Sequence, residues 1–282
     1  MGVGYLTKPI TVVYAGKKPQ AVAAARKLGE FLKSSGYSTA ILSLPEFEAS
    51  EEKPNEGVII VLGGDGTLLR VVRYITSQDI AILGVNFGRS GFLCQAEPGE
   101  MIETVESILA RNPTTDLVMR LAIYVNEEFV GNVLNEAYLS SRTPGRIVEY
   151  ALRQDGELIR DVADGVVVAT PVGSTAYAMS AGGPAVDERL DAIIITPMAS
   201  LLNMKPLVLP ASHPVEIEIR KGEAQIMIDG HSTYPIADGP LVRVKKSEHP
   251  VRFIHLDRER PFARRVRKRL YGKIWETPRN SA

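Results

Sequence analysis

Residues Val58-Ile59-Ile60-Val61-Leu62 form an unbroken apolar, β-branched run, and this stretch narrows the possible folds most. A strand that is apolar on both faces must be covered on both faces, as in a parallel sheet flanked by helices. The surrounding chain agrees with that reading. Ile10 to Tyr14 is a second short strand pattern. Pro19 opens a helix with Val22, Ala25, Leu28, Phe31 and Leu32 at helical spacing, closed by Gly36. Thr39 to Leu44 reads as a strand, Leu68, Leu69, Val71, Val72 and Ile75 as a helix face, and Ile80 to Val85 as a strand again. Repeated β-α units of this kind predict an α/β layer with a parallel sheet and right-handed crossovers.

After Asn112-Pro113 the texture changes. Leu117 to Val125 and Phe129 to Leu139 flank Asn126-Glu127-Glu128 like a hairpin, and Val148 to Arg153 and Glu157 to Val162 flank Asp155-Gly156, a strong hairpin turn. Val215 to Ile219, Ala224 to Ile228, Leu241 to Lys245 and Val251 to Leu256 continue in short strands. The expected organisation is an α/β domain over residues 1–115 and a mainly β domain over 116–256. From Pro261 the chain reads as one basic helix, which is expected to close the molecule over 257–282 by packing Phe262, Val266, Leu270 and Trp275 back onto the first domain.

Composition excludes several classes of function. The 282 residues carry 33 basic and 33 acidic side chains, so there is no overall electrostatic footprint for nucleic acid. No apolar run approaches the roughly 20 residues needed to cross a bilayer, and no signal-peptide pattern is visible. One cysteine, Cys94, excludes an intramolecular disulfide framework and fits a reducing, cytoplasmic setting; it is expected to be a buried thiol. His213, His231, His249 and His255 show no metal-ligand spacing, so no protein metal site is expected. Charge is uneven at one place: Arg258 to Lys273 holds eight Lys or Arg and a single acid, Glu259. Arg264, Arg265, Arg267, Lys268 and Arg269 read as a solvated helix face, with an acidic membrane or nucleic acid as the alternative partner.

The sharpest chemical feature is Gly63-Gly64-Asp65-Gly66-Thr67, set between the buried strand and an amphipathic helix. Glycines allow close backbone approach, and a helix start offers amides and a dipole to an anion. A carboxylate repels phosphate, so Asp65 makes sense if it touches a sugar hydroxyl while the amides hold the phosphate. The plain alternative is a tight turn in which Asp65 caps a helix. Two further segments bear on that choice. Asn135-Glu136 interrupts a stretch of Val, Leu and Tyr. Thr170 to Pro184 contains three glycines and four Ser or Thr, a composition suited either to wrapping a polar ligand or to a long connection.

Together these segments resemble the NAD kinase family. Gly63 to Thr67 is similar to its first motif, Gly84-Val-Asn86-Phe-Gly88-Arg-Ser-Gly91-Phe92-Leu93 to its second and Asn135-Glu136 to its third. Asp164-Gly165 leads into the Thr170 to Pro184 motif, and Asp229-Gly230-His231 is similar to a turn near the end of the β domain. The resemblance implies phosphoryl transfer from ATP, or another donor such as polyphosphate, to the 2′-hydroxyl of the adenosine ribose of NAD, with the β-rich domain binding NAD. It implies that Asp65 is the proton acceptor, with Gly63, Gly64, Gly66, Thr67 and Arg70 near the phosphates. Asn86 belongs to the second motif and Phe92 would press on a ring. Asn135 and Glu136 would bind adenosine, and Asp164 the amide-bearing end of the dinucleotide. Thr175, Ala176, Tyr177 and Ser180 would line the nucleotide channel. Asp229 and His231 would close the site, and Arg146 would meet a phosphate from a neighbouring subunit. Magnesium would accompany ATP, and a homodimer or homotetramer is expected. Val172 stands where the family commonly has Thr or Ser, and Ser90 where it usually carries Leu. The first motif is shared with lipid kinases, but their Pro-x-Gly-Thr-Gly-Asn segment is replaced here by Gly84-Val-Asn86-Phe-Gly88. A silent nucleotide-binding module is the remaining alternative class.

Overall fold

The computed structural model describes residues 9–88, 91–111, 113–236 and 239–254, together with positions 256, 262, 266 and 267. The chain divides into two compact units. One is built from the residues up to Val118 together with those from His249 onward, and the other is Met119–Glu248.

The first unit has one six-stranded sheet. Its strands are β1 (Ile10–Tyr14), β2 (Thr39–Ser43), β3 (Gly57–Gly63), β4 (Ile80–Asn86), β5 (Thr115–Val118) and β18 (Val251–Ile254), in the order β2-β1-β3-β4-β18-β5. The pairs β1–β2, β1–β3, β3–β4 and β4–β18 are parallel, and only the edge pair β18–β5 is antiparallel. All seven residues of β3 and all seven of β4 are buried, as their unbroken apolar runs require. Helices α1 (Pro19–Ser34) and α4 (Met101–Ala110) pack Ala25, Leu28, Leu32, Val105 and Leu109 against Val58, Ile60 and Leu62 on one face. Ile59 and Val61 point to the other face by strand alternation and are equally buried. There α3 (Asp65–Val72) packs on β3, and α2 (Leu44–Ala49) packs on β2 and α3. A capping box starts α2: the Ser43 hydroxyl accepts the Glu46 amide while the Glu46 carboxylate accepts the Ser43 amide.

The second unit contains two six-stranded antiparallel sheets. One has the order β10-β9-β14-β17-β6-β7, from β6 (Leu121–Val125), β7 (Glu128–Val133), β9 (Val148–Arg153), β10 (Glu157–Ala163), β14 (Val215–Lys221) and β17 (Leu241–Lys246). The other has the order β13-β12-β11-β8-β15-β16, from β8 (Glu136–Ser141), β11 (Gly165–Ala169), β12 (Ala192–Met198), β13 (Leu207–Pro210), β15 (Ala224–Ile228) and β16 (Ser232–Ile236). Alternate residues from both sheets, among them Ile123, Leu139, Val148, Val166, Ile193, Ile217 and Ile226, form one shared core.

The fold class matches the expectation, and some assignments differ. Leu117 to Val125 is two strands rather than one: β5 belongs to the first unit's sheet and β6 to the second unit. Val251–Ile254, expected within the β domain, inserts beside β4 in the first sheet. Phe129 to Leu139 is likewise broken at Leu134-Asn135 into β7 and β8, which lie in different sheets. Helix is present at Phe262, Val266 and Arg267; the rest of the expected tail helix, with Arg264, Arg265, Lys268 and Arg269, lies outside the described residues, as do Arg89, Ser90 and His255. Among the described residues no helix is long and apolar enough to cross a membrane.

Candidate active site

In the first unit, the glycine-rich segment forms the junction of β3 and α3. Gly63 ends β3, opposite Asn86 of β4. Gly64 is the residue before α3, and its carbonyl accepts the amides of Thr67 and Leu68 at 2.9 and 3.1 Å. Here glycine is required by close approach: a Cβ on Gly88 would lie 2.9 Å from the Gly64 Cα. Gly66 is exposed and Thr67 half-buried. Asp65, in the first turn of α3, is half-buried, and its carboxylate is gripped by the second motif. Oδ2 accepts the Phe92 amide at 3.0 Å and Oδ1 the Leu93 amide at 2.9 Å. A carboxylate has about four acceptor directions, so two amides orient it and leave capacity for a hydroxyl donor.

Three neighbours refine the expected roles. The guanidinium of Arg70, expected near phosphate, forms a two-pronged ion pair with Glu48 of α2: Nε donates to Oε1 at 2.7 Å and Nη2 to Oε2. That pairing holds Arg70 above its ordinary pKa and joins two helices through two of its five N–H donors. Asn86 is buried, and its Oδ1 accepts the Gly88 amide at 2.9 Å, so it shapes the turn of the second motif. Lys18, absent from the sequence-predicted set, comes from the loop between β1 and α1. Its Nζ donates to the Phe87 carbonyl at 2.8 Å and lies 3.9 Å from the place a Cβ on Gly64 would occupy. A glycine-rich turn without a following Lys-Ser/Thr thus has a cation beside it. Nothing in the local pattern around Lys18 signals this, because the partner is 69 residues away.

In the second unit, strand pairing gathers three of the motifs at one end of a sheet. β8 begins with Glu136 and is flanked by antiparallel β11 and β15, so their last residues, Ala169 and Ile228, lie opposite Glu136 and Ala137. Asn135-Glu136, the segment from Thr170 and the Asp229 turn are therefore neighbours. The Thr170 amide donates to the Asn135 carbonyl at 2.9 Å, and its hydroxyl to the Leu134 carbonyl at 2.6 Å. Gly173 approaches Asn135 so closely that a Cβ would fall 1.9 Å from the Asn135 carbonyl oxygen. Ser174 is buried and its hydroxyl accepts the Val186 amide at 2.9 Å, while Thr175 Oγ1 donates to the Val172 carbonyl at 3.2 Å. These hydroxyls shape the segment itself. Val172, where the family commonly has a hydroxyl, is buried.

Ala176 is half-buried and opens the short helix α5 (Tyr177–Ser180), with Ser180 exposed. The Tyr177 ring is 41% exposed and meets Tyr138 edge-on, with centroids 5.5 Å apart, which leaves a face for stacking. Asp164 is exposed at the start of β11, the end away from Thr170, and its charge joins burial and Tyr177 in pushing the Tyr138 phenol upward. The sequence groups Asp229 with the nucleotide contacts; the structure turns its carboxylate onto backbone amides of residues 134–136 instead. His231 is exposed, with Nδ1 2.7 Å from the Asp229 carbonyl, and Arg146 is exposed in the turn after β8. Cys94 is buried. Among the described residues no group of three or more His, Cys, Asp or Glu could hold a metal ion.

Comparison with known proteins agrees across both units. The family model for the ATP-NAD kinase N-terminal domain matches residues 45–112, and that for the ATP-NAD kinase C-terminal domain matches residues 134–256. An NAD kinase of Thermococcus sibiricus is 35% identical over 255 residues, covering 86% of this chain and 92% of that protein. An NAD kinase of Methanosarcina barkeri is 39% identical over 226 residues, covering 78% and 81%. Among solved structures, an NAD kinase from Archaeoglobus fulgidus in complex with ATP is similar with a TM-score of 0.74 and 29% identity, covering 94% of this chain and 98% of that one. Yeast NADH kinase complexed with NADH shares the fold, with a TM-score of 0.78 at 20% identity over 97% and 89% of the two chains. On this matching of both domains and of relatives along most of their length, the chain belongs to the NAD kinase family.

Proposed function

We propose that this enzyme transfers the terminal phosphoryl group of ATP to the 2′-hydroxyl of the adenosine ribose of NAD, giving NADP. The observation that carries the reading is the placement of Asp65, a half-buried carboxylate at a helix start, oriented by the Phe92 and Leu93 amides with acceptor capacity to spare. In this reading Asp65 aligns the ribose hydroxyl and accepts its proton, while the start of α3, Gly66 and Thr67 face phosphate. Asn135 and Glu136 take the adenosine end, Tyr177 supplies a stacking face, Phe92 presses on a ring, and Asp164 meets the amide-bearing end. Thr175, Ala176, Ser180 and His231 line the dinucleotide path, and Arg146 awaits a phosphate presented by another subunit. Arg70 keeps N–H donors for a phosphate beyond the two that Glu48 holds, and Asn86 shapes the turn of the second motif through the Gly88 amide. Phosphoryl transfer needs little covalent work from protein, so positioning and charge stabilisation supply most of the rate.

The donor set fits a divalent ion that arrives with the nucleotide. The carboxylate beside the glycine-rich turn is held by two amides, and the described residues contain no ready-made cage. Magnesium, when bound, neutralises charge on the ATP phosphates. A homodimer or homotetramer is part of the reading, supported by the open edge strand β13, where Val208 is exposed. A cytoplasmic location rests on the single buried thiol.

An endpoint assay for NADP over a panel of ATP, other nucleoside triphosphates and polyphosphate, each with NAD and magnesium, tests the proposal. NADP formation with ATP is expected; nucleotide binding without conversion would favour a silent nucleotide-binding module. Lys18 gives a second test. Lys18→Met is expected to raise the KM for ATP about tenfold or more with the KM for NAD within threefold, since one ammonium–phosphate contact is worth about 1.5–3 kcal/mol. Equal shifts in both constants would assign Lys18 to loop packing alone.

A further inference from the structure

Asp229 stands at the turn after β15 with a left-handed backbone (φ 47°), and its side chain is directed at the main chain of a distant motif. Oδ1 accepts the amides of Asn135 at 2.8 Å and Glu136 at 3.1 Å, and Oδ2 accepts that of Leu134 at 2.9 Å. The Asp229 amide in turn donates to the Glu136 carbonyl at 2.9 Å. Three successive amides thus converge on one carboxylate. From the β11 side, the Thr170 amide and hydroxyl hold the Asn135 and Leu134 carbonyls, and the same hydroxyl accepts the Gly173 amide at 3.0 Å. The segment is therefore held from both sides: its N–H groups and the Glu136 carbonyl by Asp229, and the Leu134 and Asn135 carbonyls by Thr170.

Arg120 bears on the charge of that carboxylate. It is 1% exposed and the largest fully buried side chain among the described residues, placed between β5 and β6 more than a hundred residues before Asp229. Burial pushes its pKa down to about 10, and the Asp229 charge opposes that shift. Burial likewise pushes the Asp229 carboxyl upward, against the three amide donors and His231, which favour the anion. A guanidinium stays charged under such conditions, and a buried charge persists where an opposite charge answers it.

We propose that Asp229 is a positioning residue for NAD: it fixes the backbone of Leu134 to Glu136, and through it the Asn135 and Glu136 side chains. The proposal rests on the assignment of Asn135 and Glu136 to the adenosine end of NAD. The chemistry demands a carboxylate, because an amide side chain has one acceptor oxygen and would turn its own N–H donors toward a backbone N–H.

The test uses Asp229→Asn and Asp229→Glu in the full chain. Hydrogen exchange of the Leu134, Asn135 and Glu136 amides should quicken at least tenfold in Asp229→Asn, with the amides of β9 and β14 unchanged. The kcat/KM for NAD should fall about 100-fold, the cost of roughly an ångström of misplacement, with the KM for ATP within threefold. Asp229→Glu keeps the carboxylate, one methylene further out, and should lose less than Asp229→Asn in both exchange protection and kcat/KM. Should Asp229→Asn fail to fold, Asp229→Glu against the parent carries the same exchange comparison. Unchanged exchange at residues 134–136, or a loss of turnover that matches the unfolded fraction with the KM for NAD unchanged, would overturn the proposal. Exchange that changes as described in a chain unable to make NADP would uphold the clasp and refute the kinase reading instead.

Discussion

Asp65→Asn is expected to lower turnover by at least about 100-fold, close to 3 kcal/mol of barrier, the lower end of what a positioned proton acceptor supplies. Asn keeps the size of the side chain and removes its charge and half of its acceptor capacity. The structure adds a second consequence. Both carboxylate oxygens hold backbone amides, of Phe92 and Leu93, so the amide group of Asn must turn N–H donors toward one of them. A stability loss of about 1–3 kcal/mol should accompany the loss of turnover, the usual cost of leaving one such donor unanswered. The two effects separate by experiment: urea unfolding reports the second, and single-turnover rates on the folded fraction report the first. Near-normal turnover in folded Asp65→Asn would remove Asp65 from the chemistry and leave it as the anchor of the second motif.

Gly173→Ala is expected to be among the most damaging single-methyl changes in the second unit. Its Cβ would fall 1.9, 2.3 and 2.6 Å from the carbonyl oxygen, carbonyl carbon and Cα of Asn135. No rotamer change relieves an overlap with backbone, so the Thr170 segment must withdraw from β8 and give up the bond from the Thr170 amide to the Asn135 carbonyl. The expected loss is at least about 3 kcal/mol, the upper end of overpacking costs, seen as a fall in Tm of roughly 10 °C. In whatever remains folded, the KM for NAD should rise more than tenfold. Wild-type Tm and KM would show that the two segments separate without consequence.

The elements legible in the sequence were those whose reasons are local. β1, β9 and β15 begin and end where their strand patterns do, and α1 starts at the Pro that pre-sets its first turn. Other local signals were present but weaker. The capping box at Ser43 to Glu46 marks α2, and the runs Gly165–Ala169 and Ala192–Met198 are as apolar as β3. Sheet membership is different, since it is decided by long-range pairing. Nothing in Val251–Ile254 states that it completes the first unit's sheet beside β4, and nothing in Leu117 to Val125 states that the chain changes unit at Met119, burying Arg120 next to the switch.

The same division holds for the candidate site. Motif spacing singled out Asp65, Asn135-Glu136 and the Thr170 segment as candidates, because residue types there are odd for their surroundings. What each side chain holds was hidden, because its partner is far along the chain. Glu48 claims Arg70 from 22 residues away, and Asp229 reaches Asn135 across 94. Lys18 was missed for the same reason.

The most direct measurement follows the phosphoryl group itself. The purified chain is mixed with γ-labelled ATP, magnesium and NAD for a single turnover, and the label is located on the dinucleotide by 31P NMR. Label on the adenosine 2′-oxygen, appearing at least about 100-fold more slowly with Asp65→Asn, is the predicted result. Label on water or on another oxygen, or its transfer at an undiminished rate without the Asp65 carboxylate, would contradict the account.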